Sequence, residues 1–138
     1  MLRFVGDINL TDWDFNVGNG IGSRISQGFD PFSHLTRSDG DCWIGNYEGV
    51  ASDTSCKEGY ILKVFRVPPK GLANLHHFDV YGFANNHAMQ HGSEAYWNTV
   101  KALESFGSKV FGTNKTKIVV IEHQGREISL SGVCLRIV

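Results

Sequence analysis

The sequence predicts an α/β fold with a mixed, partly parallel sheet, and three observations carry that expectation. Short β-prone apolar runs recur along the chain, helical stretches fall between them, and polar residues follow directly after several of the runs. A length of 138 residues suits one domain, 1–138, and no internal repeat interrupts it. A chain of this size buries roughly 68–70% of the surface its unfolded form exposes, so folding needs neither a disulfide nor a structural metal.

Residues 2–5 are apolar and stop at Gly6-Asp7, which predicts a buried first strand with Asp7 at its carboxyl end. Residues 11–38 are rich in Asn, Asp, Gly and Ser and predict loop, with one helical turn at 31–35. A second strand over 42–45 leads into Asn46-Tyr47-Glu48, so Glu48 is placed like Asp7. Loop over 52–59 and a strand over 60–67 come next, and Pro68-Pro69 ends that strand. The prolines permit a short helix over 70–77, and a third strand over 80–84 runs directly into Asn85-Asn86-His87. Ser93 is the expected cap of the following helix, whose apolar face is Tyr96, Val100 and Leu103, with Glu94 in its first turn and Gly107 closing it. Residues 110–111 predict another short strand, and 118–121 with 128–130 predict a hairpin around His123-Gln124-Gly125-Arg126.

Composition excludes several classes of function. Hydrophobic residues at 41% and charged residues at 20% are ordinary for a globular chain and argue against disorder. A formal net charge of −1 supplies no broad cationic field, so neither a nucleic-acid backbone nor an anionic membrane is an expected partner. Aromatics at 12% then belong to the core rather than to a base-stacking platform. Cys42, Cys56 and Cys134 lack a C-x-x-C pair and read as ordinary thiols. The opening residues do not resemble a signal peptide and no apolar run has membrane-spanning length, so the chain as written reads as cytoplasmic, with no membrane segment.

In open α/β sheets the ligand crevice lies outside the carboxyl ends of the strands. Asp7, Glu48 and Asn86 each follow an apolar strand and are hard oxygen ligands, suited to Mg²⁺ or Mn²⁺ and acceptable to Zn²⁺. Any one of them alone reads more plainly as a turn former or helix cap, whereas three at one sheet edge can seat a cation. Two readings of His87 stand side by side: a proton donor or metal ligand, or a loop histidine hydrogen-bonded to backbone. Asp41 precedes the second strand, so it belongs to the opposite edge and is left out of the site. His76, His77 and His91 have no partner at ligand spacing and read as surface or helix-end residues, and His123 reads as part of a turn.

Gly6-Asp7, Gly45-Asn46-Tyr47-Glu48 and Ala84-Asn85-Asn86-His87 follow one another in an order that resembles the CapA-like poly-γ-glutamate capsule-synthesis proteins. Asp30-Pro31-Phe32, Phe65-Arg66, Gly82 and Gly92 extend the likeness over nearly the whole chain. That family is in turn similar to the calcineurin-like metallophosphoesterases. The resemblance implies a layered metallophosphoesterase-like sandwich, incomplete here and truncated at its carboxyl end. It also implies two divalent metal ions (Mn, Mg or Zn) held by Asp7, Glu48 and Asn86, with Asn46 as a further candidate, and His87 near the scissile phosphate as acid or transition-state stabiliser. Asn9 stands where many superfamily members have histidine, Gln90 stands where the CapA-like pattern usually has aspartate, and the family's carboxyl-terminal histidine segment has no counterpart.

Two functions follow as expectations. One is a metal-dependent phosphoesterase-type hydrolase linked to poly-γ-glutamate or capsule-polymer biosynthesis, poorly active in this length of chain. The other is a non-catalytic component of capsule synthesis or export that binds an anionic polymer in the same cleft. Members of the resembled family are often exported or membrane-anchored, although no signal for either is recognisable here.

Overall fold

The computed structural model describes residues 1–11, 20–52, 65–72 and 74–134. Its elements in chain order begin with strand β1 (Leu2–Ile8), helix α1 (Ile21–Ser26) and strand β2 (Cys42–Tyr47), followed by the two-residue strands β3 (Val50–Ala51) and β4 (Arg66–Val67). Two 3₁₀ turns, Pro69–Leu72 and Leu75–His77, then lead to β5 (Val80–Gly82), α2 (Gly92–Ser105), β6 (Lys109–Phe111), β7 (Ile118–His123) and β8 (Arg126–Ser131). The predicted α/β class with parallel strands is the one observed: β1-β2-β5-β6 form a four-stranded sheet whose neighbours are all parallel. The hairpin β7-β8 is antiparallel, and β3-β4 form a small separate parallel pair.

Alternation along the strands divides the interior in two. Trp43, Tyr47, Tyr81 and Val110 point to one face and pack with Phe83 and with Tyr96, Val100 and Leu103 of α2. Ile44, Val80 and Phe111 point to the other face, where Ile121 and the partly buried Val119, Ile128 and Leu130 of the hairpin cover them. Helix α2 is also fastened by Thr99, whose buried hydroxyl donates to Ala95 O at 2.7 Å and accepts from Ala51 N at 2.8 Å. That bond satisfies a strand amide that would otherwise be buried without a partner.

The hairpin turn follows its sequence closely. Gln124 (φ 53°) and Gly125 (φ 72°) are both left-handed, as a two-residue turn between twisted strands requires. Elsewhere tertiary packing altered the local expectation. Helix α1 lies where loop is predicted, the helix expected over 70–77 is split into two 3₁₀ turns, and β1 runs on through Asp7 to Ile8. Gly71 and Asn74 are poor helix formers, so the burial of Leu72 and Leu75 sets the short turns. Ser93 does not cap α2: the chain turns one residue earlier, at Gly92 (φ 84°), and His91 precedes the helix without a side-chain cap bond. The strand expected over 60–67 and the loop over 52–59 fall largely outside the described residues, as does Cys56.

At the amino ends of the strands, Asp41 accepts from Arg3 Nε at 2.8 Å, from the Met1 ammonium at 2.9 Å and from Ser38 N at 3.2 Å. Beside it, Arg37 donates to Asp79 at 2.6 Å, and the other Asp79 oxygen accepts Trp43 N at 2.7 Å. Asp41 therefore does lie at the edge opposite the carboxyl ends, as its position before β2 implies.

Candidate functional site

The register between β1 and β2 decides where Asp7 points. Phe4 pairs with Ile44, but the next recorded pair is Asp7 with Asn46, so β1 spends three steps where β2 spends two. The extra residue is a β-bulge, and it reverses the side-chain alternation beyond it. Asp7 is thereby turned to the same face as Asn46, and Ile8 turns into the core beside Tyr47. Gly45 accommodates the bulge. A Cβ there would overlap Ile8 Cδ1 and stand 3.1 Å from Val5 Cγ2, because both side chains converge on that single position.

Two polar pairs result along the β1–β2 seam. Asn46 Nδ2 donates to Asp7 Oδ1 at 2.7 Å, and two residues further on Asn9 Nδ2 donates to Glu48 Oε2 at 3.3 Å. Gly82, level with Asn46 on β5, leaves room beside it: an added Cβ would lie 3.4 Å from Asn46 Oδ1. The loop after β5 supplies the third contribution. His87 Nε2 lies 3.6 Å from Glu48 Oε1 and 3.3 Å from Asn86 Nδ2.

The imidazole is held from behind. Phe65 stacks on it with ring centroids 3.6 Å apart and planes 18° apart, and Nδ1 is enclosed without a hydrogen-bond partner. Its outward nitrogen is therefore Nε2, the one that meets the carboxylate. Asn85 ties the loops together, donating from Nδ2 to Tyr47 O at 2.7 Å and accepting His87 N on Oδ1 at 3.0 Å.

The structure thus brings Asp7 to Asn46, and both Glu48 and Asn86 to His87, at the carboxyl ends of three adjacent strands. Asp7 and Asn86 are exposed and Glu48 and His87 are half-buried, so a ligand can reach all four. Asn85 and Phe65 carry no site role in the sequence reading, and Asn9 enters it only as the residue standing where many superfamily members have histidine. Asn9 was within reach, since it stands two residues after Asp7 as Glu48 stands two after Asn46. Phe65 had no local signal, because its stacking partner is 22 residues away in the chain. Of the other histidines, His77 bonds Asp30 at 3.2 Å and stacks on His76, His91 is buried at the start of α2, and His34 lines a cavity together with Asp7 and Asn9.

The donor set is one of hard oxygens, two carboxylates and several amides, with a single imidazole, which suits Mg²⁺ or Mn²⁺ in type. Among the described residues no three His, Cys, Asp or Glu side chains gather closely enough to enclose an ion, so amide oxygens would have to complete any shell.

A parallel α/β sheet with polar side chains beyond its strand ends defines the class, that of open α/β folds, in which ligand crevices lie at the sheet's carboxyl edge. The sequence matches the family model of bacterial capsule synthesis proteins, PGA_cap, over residues 1–137, and the chain belongs to that family. No curated protein matches it significantly. No helix among the described residues is long and apolar enough to cross a membrane.

Proposed function

We propose that the chain carries the site of a metal-dependent phosphoesterase-type hydrolase acting on a phosphoester or anionic-polymer substrate, in the service of poly-γ-glutamate or capsule-polymer synthesis. The observation that supports this reading is that a bulge turns Asp7 toward Asn46 while Glu48 meets the His87 imidazole, the two pairs lying at the carboxyl ends of adjacent strands. Asp7 and Glu48, completed by the amide oxygens of Asn46 and Asn86, would hold two divalent cations. Such ions, when bound, lower the pKa of a coordinated water toward about 7 and offset the charge that develops on a phosphoryl group. The chain's own residues do the rest. His87 presents Nε2 to the cluster and donates a hydrogen bond or proton to the leaving oxygen, and the enclosed Nδ1 leaves the ring only one working nitrogen. Asn9 restrains the Glu48 carboxylate, and Phe65 keeps the imidazole plane from rotating.

The test is hydrolysis of an aryl phosphate after chelation and Mn²⁺ reconstitution, on the wild type and on Asp7→Ala. Turnover that requires Mn²⁺ and disappears in the variant is the expected result; equal rates in the two proteins would sink the reading. A second reading, a non-catalytic site for an anionic polymer, draws its support from the family's link to capsule synthesis. Polymer retention without any turnover, unchanged by chelation, would select it.

A further inference from the structure

We propose that Asn85 is a positioning residue that locks the β2 and β5 loops together and so sets the Glu48–His87 contact; its metal-affinity consequence rests on the function proposed above, whereas its effect on the imidazole does not. Each functional end of the Asn85 amide is committed to a different loop. Nδ2 donates to the carbonyl of Tyr47, the residue immediately before Glu48, at 2.7 Å, and Oδ1 accepts the amide N–H of His87 at 3.0 Å. One side chain thereby connects the peptide that carries the carboxylate to the peptide that carries the imidazole. The groups it serves meet loosely, at 3.6 Å, with no short bond of their own to hold them. The Phe65 face, 3.6 Å behind the ring, constrains His87 from another direction. An amide is required at position 85, because no other short side chain both donates and accepts through separate atoms across this span. Residues that orient a ligand set from behind it typically change metal affinity by factors of ten or more when removed.

The experiment has two arms on the full chain. In the metal-free protein, the Phe65 face is expected to displace the His87 ring protons upfield, with an NOE joining the two rings. Asn85→Ala is expected to remove both signals while the Tyr47–Phe83 and Tyr96–Trp97 NOEs of the core persist. Asn85→Asp keeps the acceptor for His87 N–H but has no donor for Tyr47 O, so it is expected to lose much of the displacement as well. Unchanged His87 signals in either variant would overturn the proposal. In the second arm, Mn²⁺ affinity is expected to fall roughly 10–100-fold in Asn85→Ala, and by under about 3-fold when the same change is made in a Glu48→Gln background. Additive losses would overturn the assignment, since a general structural role predicts them. If the wild type takes up no Mn²⁺, the proposed function fails and the ring signals alone decide the role of Asn85.

Discussion

The two ends of the central sheet both gather charged and amide side chains, and they differ in how completely those groups are bonded. At the amino end, Asp41 is surrounded by the Arg3 guanidinium, the Met1 ammonium and the Ser38 amide, while Arg37 and Trp43 N engage Asp79. At the carboxyl end, among the described residues, Asp7 takes a short bond from Asn46, Glu48 meets Asn9 and His87 at 3.3 and 3.6 Å, and Asn86 meets His87 at 3.3 Å. The first arrangement pairs its carboxylates with cations and backbone amides, which stabilises the fold. The second leaves oxygens and one imidazole nitrogen facing outward, which is what a binding or catalytic site requires.

Exchanging the roles of the two ends is the sharpest way to break this comparison. His87→Ala should lower Mn²⁺-dependent turnover by about 10²–10⁴-fold, with little change in melting temperature by calorimetry. If it unfolds the protein instead, the carboxyl end is structural too. Asp41→Asn should do the converse: a lower melting temperature, with Mn²⁺ affinity unchanged in the protein that remains folded.

The same residue predicts a pH dependence. The Arg3 guanidinium, and next the Met1 ammonium, hold the Asp41 carboxyl well below the usual carboxylate range. The unfolded chain therefore binds the proton first, and the stability due to Asp41 is fully present above the ordinary value of about 3.9 and lost progressively as the pH falls below it. Denaturant titrations from pH 6 downward should show that loss, and Asp41→Asn should flatten it. A wild-type curve no steeper than the variant's would contradict the assignment.

Smaller effects sharpen the comparison from the side of the bulge. Gly45→Ala forces a methyl against Ile8 and Val5 and should cost about 1–3 kcal/mol in urea unfolding. It should also weaken Mn²⁺ binding, because the same two side chains set the turn of Asp7 toward Asn46. Asn9→Ala should be the mildest change, within about 0.5 kcal/mol of wild-type stability, since its bond to Glu48 is long and exposed.

Much of the fold was legible in local patterns. The apolar runs marked β1, β2, β5 and the hairpin, and the spacing of Tyr96, Val100 and Leu103 marked α2, because those signals depend only on near neighbours. The placement of Glu48 and Asn85-Asn86-His87 after strands was equally readable, whereas Asp7, expected just beyond the first strand, lies within β1 near its carboxyl end. Helix α1 was not, since its Gly- and Ser-rich stretch has weak helix propensity and gains its form from packing against the Pro69–Leu72 turn.

What the sequence determined by itself is therefore the set of strands and the polar residues that end them, because alternation and turn chemistry act within a few residues. Only the tertiary structure decided which way those residues face. The bulge exists only in the register of β1 against β2, the Phe65 stack only between segments distant in the chain, and the Asn85 bridge only where two loops meet. A side chain's direction at a strand end is a property of its partners' positions, and no local pattern contains it.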